Sequence, residues 1–351
     1  MKYDLIAPTS MGIRLSPLER QPVGITRLYT MYATSAESNV LNVSAALGLK
    51  AHVLTAFVKG SPIADFIRGE LRRRNITYEG PEVAQGGPWG YRHQINIADA
   101  GFGVRGPRVH NDRAGEVGRL LTLADFDPER LFARDGVRMM HLSGLFAALS
   151  PQTAKLCVQL AEIAKQHGTQ VSFDLNYRAS FWAGREEELH AAFTRIASLS
   201  DVLIGNEEDY QLALGIHGPE AGGEDISGQI EDFKGMIKAA QAAFPNVQVF
   251  ATTLREVLDA NRHLWGAILY MDGNWHLAAQ REIQILDRIG GGDGFVGGLL
   301  YSLLRGFEAE KCLQFAWATG AMATTMLEDY ATPADEAQVL AVWQGNARVV
   351  R

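Results

Sequence analysis

The chain has 351 residues, with 33 Lys and Arg against 40 Asp and Glu and a formal net charge of −7. Hydrophobic residues make up 47% and charged residues 21%, which excludes a disordered chain and leaves one large or two smaller globular domains. The acidic balance argues against nucleic acid as the main partner, but it leaves room for an anionic ligand in a locally positive site.

Cys157 and Cys312 are the only cysteines, and each sits in an apolar helical pattern. That usage predicts two buried thiols in a reducing compartment, not a disulfide framework or a zinc site. The N-terminal stretch MKYDLIAPTSMG has no long apolar segment, and no run approaches the roughly 18 apolar residues of a membrane helix. The expectation is a soluble cytoplasmic protein.

In chain order, residues 10–33 carry short alternating segments and turn residues. Residues 38–48 have helical spacing and end at Gly48. His52–Phe57 reads as a buried strand and Pro62–Asn75 as an amphipathic helix with cations at its C-terminal end. Residues 88–113 again alternate without helical period. Together with 10–33 they predict antiparallel strands outside the main sheet, forming one small lid. A strand follows at Arg138–Leu142. Ser150 and Pro151 then open a helix as N-cap and first-turn proline, and it runs to His167. Strands at Val171–Leu175, Val202–Gly205 and Val247–Thr252 alternate with helices at Glu186–Ser198, Glu207–Leu214 and Gln229–Ala243. Apolar strands alternating with helices predict a mostly parallel sheet covered on both faces, with its ligand beyond the carboxyl ends of the strands. A hairpin joins Leu264–Met271 to Trp275–Ala278 through Asp272-Gly273.

The strongest chemical signal is Asp287-Arg-Ile-Gly-Gly-Gly-Asp293-Gly-Phe, where a strand (IQILD) meets three glycines and an amphipathic helix starts near Asp293. Glycines let a ligand approach the backbone, and a helix N-terminus offers free N–H groups. A carboxylate there would repel a phosphate. It makes sense as a general base for a hydroxyl that attacks one, or more simply as a helix cap. Gly297 and Gly298 inside that helix predict close packing or close ligand approach. Gly101-Phe-Gly103-Val-Arg-Gly106 matches a dinucleotide fingerprint, but Pro107 and extended residues follow instead of a helix, so that reading is dropped.

The DRIGGGDGF segment resembles the DTxGAGDxF signature of the ribokinase-like (PfkB) carbohydrate kinases. Phe173-Asp-Leu-Asn-Tyr-Arg178 with Phe181-Trp182 is similar to the DLNYRxxLW stretch of the 2-keto-3-deoxygluconate kinase branch. Ile204-Gly-Asn-Glu-Glu-Asp209, Thr253-Leu-Arg-Glu256, Asn111-Asp-Arg-Ala114, and Ala36-Glu37 with Asn39 are similar to segments of the same branch. The resemblance spans about residues 2–351. It implies one three-layer α/β domain with a small β lid from about 10–33 and 88–113. It also implies a phosphotransferase that uses ATP and Mg²⁺ to phosphorylate a primary hydroxyl of a sugar acid. By position, Asp293 corresponds to the catalytic base, and Gly290, Gly291 and Gly292 to the anion hole. Arg113 and Arg178 correspond to arginines that engage the acid sugar, in a pocket that also includes Thr34, Ser35, Asn39, Asn96 and Asn111. Asn206, Thr253, Arg255 and Gly292 fall toward the nucleotide. Asn206 and Asp209 fall where the family organises Mg²⁺ through water or phosphate.

Arginine suits a keto-deoxy acid because its planar fork pairs with a carboxylate. The departures from the family cluster at the sugar end. Thr34-Ser35 stands for Gly-Gly, Asn111 and Asn96 for tyrosines, and Lys59-Gly-Ser-Pro62 for a loop with Asp or Asn before Pro. A neutral sugar or nucleoside substrate, or a sugar-binding homologue without catalysis, therefore stays open. Exposed lid edges predict a homo-oligomer formed through the lid.

Overall fold

A computed structural model of the chain describes residues 1–220 and 226–348. The chain starts with β1 (Tyr3–Pro8), β2 (Gly12–Pro17) and β3 (Tyr29–Thr34), then forms α1 (Ala36–Ala46). Next come β4 (Ala51–Leu54), β5 (Phe57–Val58), α2 (Pro62–Arg73), β6 (Ile76–Glu79) and β7 (Glu82–Val83), followed by β8 (Gln94–Asp99) and β9 (Arg108–Asp112). The alternating body comprises β10 (Val137–Ser143), α3 (Gly144–Ala147), α4 (Pro151–Gln166), β11 (Gln170–Asp174), α5 (Ala179–Trp182), α6 (Glu186–Leu199), β12 (Val202–Ile204) and α7 (Glu207–Leu214). After α8 (Ile230–Ala243) come the long strands β13 (Val249–Asp259), β14 (Arg262–Met271) and β15 (Asn274–Gln284). The helices α9 (Gly291–Leu304), α10 (Ala309–Ala323) and α11 (Glu336–Trp343) follow them.

The main sheet has the order β15-β14-β13-β12-β11-β10-β1-β4-β6. It is parallel from β13 to β6 and antiparallel across β13, β14 and β15. Successive strand residues point to opposite faces. Thus Ile6, Met140, Leu203 and Phe250 pack under α4, α6, α7 and α8, while Leu5, Met139, Val202 and Ala251 pack under α1, α2, α9 and α10. This is the expected three-layer α/β fold. From β1 the chain adds β4 on one side and β10 on the other, so the crevice between them opens at the carboxyl ends of β1 and β10. Helix α9 fits between α1 and α10 because Gly297 and Gly298 lack side chains. A Cβ on Gly297 would lie 2.6 Å from the Val40 carbonyl, and one on Gly298 would lie 2.0 Å from the Thr319 hydroxyl.

A second sheet, ordered β3-β2-β8-β9, lies outside the main one. Its strands match the two regions that break the helical rhythm, with one correction. The β2–β3 and β8–β9 pairs are antiparallel, but β2 and β8 run parallel. The chain passes through α1, β4 and α2 between β3 and β8 and re-enters in the direction of β2, as a long crossover allows. The predicted strand His52–Phe57 is also divided. β4 ends at Leu54, and β5 pairs with β7 in a separate ribbon; at the break Gly80 passes so close to Thr55 that a Cβ would lie 1.8 Å from its carbonyl. The predicted strand Val247–Thr252 runs on to Asp259. Asp272 and Gly273 turn the hairpin with φ of +53° and +76°. Cys157 and Cys312 are free and buried, as expected. Among the described residues, no helix is long and apolar enough to cross a membrane.

Candidate active site

The turn before α9 is held from both sides. β15 ends at Gln284, so IQILD is a strand only at its start. Beyond it, the N–H groups of Leu286 and Asp287 donate to the Thr324 carbonyl at 2.8 and 3.1 Å. Gly290 then takes the left-handed conformation, φ +84°, and caps the helix: its carbonyl accepts from the Gly294 N–H at 2.7 Å. A Cβ at Gly290 would lie 1.9 Å from the Asp329 carbonyl, so only glycine fits. The helix begins at Gly291, two residues earlier than the sequence suggested. First-turn N–H groups have no partner inside the helix, so those of Gly291, Gly292 and Asp293 form the free, positive end of the α9 dipole. Gly290 shapes this turn, and Asp293 is the third helical residue instead of the cap.

The Asp293 side chain is half-buried. Among the described residues, only Asn39 hydrogen-bonds its carboxylate, through Nδ2 to Oδ2 at 2.9 Å. Burial pushes the Asp293 pKa up to about 7, with the charges of Asp329 and Glu37 adding to the rise; the Asn39 bond and Arg178 oppose it. A carboxyl poised there can hold or release a proton near neutral pH.

The sugar-end residues come mostly from the second sheet. Residues directly opposite one another share a face, so the register places Tyr32, Arg14, Asn96 and Asn111 in one row and Thr34, Gly12 and Gln94 in the next. This is the face from which Arg14 and Thr34 reach Asp329. A cavity bordered by Ser10, Ser35, Glu37, Gln94, Arg113 and Phe146 opens beside it. Buried atoms without partners lie here: Glu37 Oε1, Asn39 Oδ1, Gln94 Oε1, Asn96 Oδ1, Arg113 Nε and Glu116 Oε2. Such a set is costly unless a polar ligand answers it.

Other predicted sugar contacts have partners within the protein or face solvent. The Thr34 hydroxyl donates to Asp329 Oδ2 at 2.7 Å, which commits it to a carboxylate. The Ser35 hydroxyl caps α1 by accepting from the Ser38 N–H and also donates to the Met11 sulfur. Asn111 is exposed. Arg113 is not a free fork: Nη1 pairs with Glu116 Oε1 at 2.8 Å, and its guanidinium lies 5.2 Å from the Phe181 ring. Arg178 is exposed; it donates to the Tyr177 carbonyl, and its charge reaches Asp174, Asp209 and Asp293.

Toward the other end of the crevice, Asn206 caps α7 and forms a reciprocal pair with Asp209. Both Asp209 oxygens accept backbone N–H groups, from Tyr177 at 2.8 Å and Asn206 at 2.9 Å. Burial nonetheless raises the Asp209 pKa to about 6, and it pushes Asp174 well above the usual range with help from Asp209 and Asp293. A basic group forms around β13 and the glycine turn. Desolvation by the surrounding protein lowers the pKa of Arg255 on β13 to about 10, with the charge of Arg288 adding to the fall, and Arg288 in turn is lowered by burial and by Arg178. His263 is pushed down to about 4 by burial and by Arg255 and Arg288, so it is neutral. Thr253 is half-buried on β13, two residues before Arg255.

The sequence reading missed Arg14, Glu37, Gln94, Asp174 and Arg288 as site residues. Arg288 stands inside the glycine motif, where a cation beside an anion-binding turn was a usable signal. Glu37 and Asp174 lie in segments already quoted. Nothing in the local pattern around Arg14 or Gln94 marks them, because their burial comes from distant segments.

Comparison with known proteins shows which family the chain is similar to. The model of the pfkB family carbohydrate kinases matches residues 124–335, more than half of the chain. A 2-dehydro-3-deoxygalactonokinase from Haloferax volcanii is 27% identical over 348 residues, 97% of each chain. A 5-dehydro-2-deoxygluconokinase from Shouchella clausii is 24% identical, covering 92% of this chain and 89% of its own. The crystal structure of 2-dehydro-3-deoxygluconokinase from Thermotoga maritima superposes with a TM-score of 0.86 at 27% identity, covering 98% of this chain and all of that one.

Proposed function

Because the chain belongs to the pfkB family of carbohydrate kinases, we propose that it transfers the γ-phosphoryl group of ATP to a primary hydroxyl of a sugar acid, most like 2-keto-3-deoxygluconate. The observation that carries this reading is Asp293, a carboxyl with a pKa near 7 on the first turn of a helix whose free N–H groups point to the same place. The similarity to kinases of dehydro-deoxy sugar acids supports the substrate class.

Asp293 takes the proton of the attacking hydroxyl, and Asn39 holds the carboxylate toward it. The N–H groups of Gly291, Gly292 and Asp293 form the anion hole that receives charge on the transferring phosphoryl group. Gly290 belongs to that hole by shaping it. Arg255 and Arg288, with Thr253 on the same strand as Arg255, would hold the nucleotide phosphates, and Arg178, whose charge reaches Asp174, Asp209 and Asp293, would supply a further cation. Among the described residues no three acids or histidines cluster to hold a metal by themselves, but Mg²⁺ takes oxygen ligands and shares them with phosphates, and Asp209 and Asp293 raise the pKa of Asp174, a strain that a divalent cation would relieve. When bound with ATP, Mg²⁺ would neutralise phosphate charge. Asp174 would face it directly, while Asn206 and Asp209 would hold it through water. The second sheet acts as the lid, with Asn96, Gln94, Arg113 and Ser35 toward the sugar and Asn111 at the rim.

A second reading, a neutral sugar substrate, is favoured by the pairing of Arg113 with Glu116, because a bound carboxylate would find that arginine already matched. ADP release measured over 2-keto-3-deoxygluconate, 2-keto-3-deoxygalactonate, fructose and ribose separates the two. The proposal expects the keto-deoxy acids to lead in kcat/KM by at least about tenfold. A neutral sugar in the lead would overturn it. Asp293→Asn should lower kcat by about 10²–10⁴ with KM little changed, and near-normal turnover would remove the base assignment.

The other face of the lid carries apolar residues, with Tyr29 and Met31 of β3 exposed and Ile25 and Leu28 exposed beside them. Pairing of two such faces would make a homo-oligomer. Sedimentation at high concentration should show a dimer or larger, and a single monomer species would refute it.

A further inference from the structure

Arg14 heads the fully buried side chains by size, at 1% exposure, and phosphoryl transfer as described does not use it. It projects from the middle of β2. Its Nη1 donates to Asp329 Oδ1 and its Nη2 to Asp287 Oδ2. The other oxygen of each carboxylate is also engaged: Thr34 donates to Asp329 Oδ2 at 2.7 Å, and the Ile289 N–H donates to Asp287 Oδ1 at 3.0 Å. One cation from the lid sheet therefore spans the segment that enters the glycine turn and the segment after α10. Those two segments pack together at Gly290, where the Asp329 carbonyl occupies the place of a side chain.

The turn needs such an anchor. Gly290, Gly291 and Gly292 have no side chains to pack, and glycine is the residue least inclined to stay in one conformation. A surface ion pair would hold it weakly, but this one is enclosed. Burial opposes the charge on Arg14, and Asp329 and Asp287 outweigh that opposition, so the guanidinium stays ionised. Its planar fork reaches two carboxylates at once, which the point charge of a lysine does not. On the same face of the sheet, Arg14 lies beside Asn96, whose buried Oδ1 has no partner.

We propose that Arg14 is a positioning residue for phosphoryl transfer: an internal cation that locks the Gly290–Asp293 turn and ties its geometry to the placement of the lid sheet. The inference rests on the reading of that turn as the transfer site.

The test compares Arg14→Lys, Arg14→Met and the charge-free triple variant Arg14→Met/Asp287→Asn/Asp329→Asn with the wild-type chain. Two readouts are taken: amide hydrogen exchange over residues 285–295 and over α4 (Pro151–Gln166), which packs on the opposite face of the sheet from α9, and kcat and KM with 2-keto-3-deoxygluconate and MgATP. In Arg14→Met, exchange over 285–295 should quicken at least about tenfold while α4 keeps its protection. kcat should fall about 10²-fold, the usual cost of a small misplacement, with each KM within about threefold. Arg14→Lys should recover part of the loss. If Arg14→Met does not fold, the triple variant decides, because it leaves no buried charge unmatched and should still show the loosened turn and the low kcat. Wild-type exchange and kcat in either folded variant would overturn the proposal. So would faster exchange spread evenly over both regions, which marks a general stability effect. A wild-type chain that turns over no keto-deoxy acid would sink the substrate reading alone, since the exchange comparison still decides on Arg14.

Discussion

In the proposed transfer, Asn39 sets how easily Asp293 becomes a base. Its amide is the one group among the described residues that hydrogen-bonds the carboxylate, at 2.9 Å, and it acts against burial, Asp329 and Glu37. Asn39→Ala removes that donor. A hydrogen bond to a charged group contributes about 1.5–3 kcal/mol, and about 1.4 kcal/mol corresponds to one pH unit. Asp293 is half-buried, so water makes up part of the loss, and a rise of about one unit is expected, from about 7 to about 8. The base must be ionised to work. The acid limb of kcat/KM should therefore move to higher pH, with activity at pH 7 down about fivefold and recovered on the alkaline plateau. The assay is coupled ADP release from about pH 5 to pH 10. An acid limb that stays in place or moves down would refute the reasoning, as would a uniform loss at every pH, which would mark structural damage.

Arg288→Ala and Arg255→Ala should each raise KM for MgATP about tenfold, the scale of one lost charge-assisted contact, while KM for the sugar acid stays nearly constant; equal rises in both KM values would contradict their placement. Gly290→Ala should destabilise the fold by about 1–3 kcal/mol, because a Cβ there meets the Asp329 carbonyl at φ +84°, and denaturant unfolding measures it. Stability should also depend on pH. The folded pKa values of Asp293 and Asp209, about 7 and about 6, lie above the unfolded value of 3.8, so the folded state binds more protons and stability falls as pH rises from about 4 to about 7. Asp293→Asn should accordingly melt about 1–3 °C higher than wild type at pH 8 and show no advantage near pH 4, and an unchanged difference at both pH values would refute it.

Local chemistry made much of this molecule legible from its residues alone. Ser150-Pro151 and Gly215 are capping signals, and the structure places the ends of α4 and α7 there. The alternation of apolar strands and helices specified a covered parallel sheet, because only burial on both faces tolerates such strands. Asp293 behind three glycines was readable because a helix start, a flexible turn and an acid are all encoded within a few residues. Boundaries were less legible. α9 begins at Gly291 because Gly290 is pinned under Asp329, 39 positions further along the chain.

The sugar end shows where local pattern stops. Arg113 carries the same fork whether it is free or matched, and its partner Glu116 is only three residues away, yet the pairing follows from both being enclosed under the lid sheet. Arg178 looks like a sugar contact from its motif, but its field falls on Asp174, Asp209 and Asp293 together. Arg14 is the extreme case. In sequence it is one arginine in an alternating strand, 273 and 315 positions from the carboxylates it bridges. What the sequence determined by itself is therefore the set of elements, the family and the glycine turn before α9, since propensity, caps and glycine conformations act over a few residues. Which charges are matched, how far Asp293 is pushed toward neutrality and what holds the turn were decided by the tertiary structure, because desolvation and Coulomb interaction depend on distance in space and not on position along the chain.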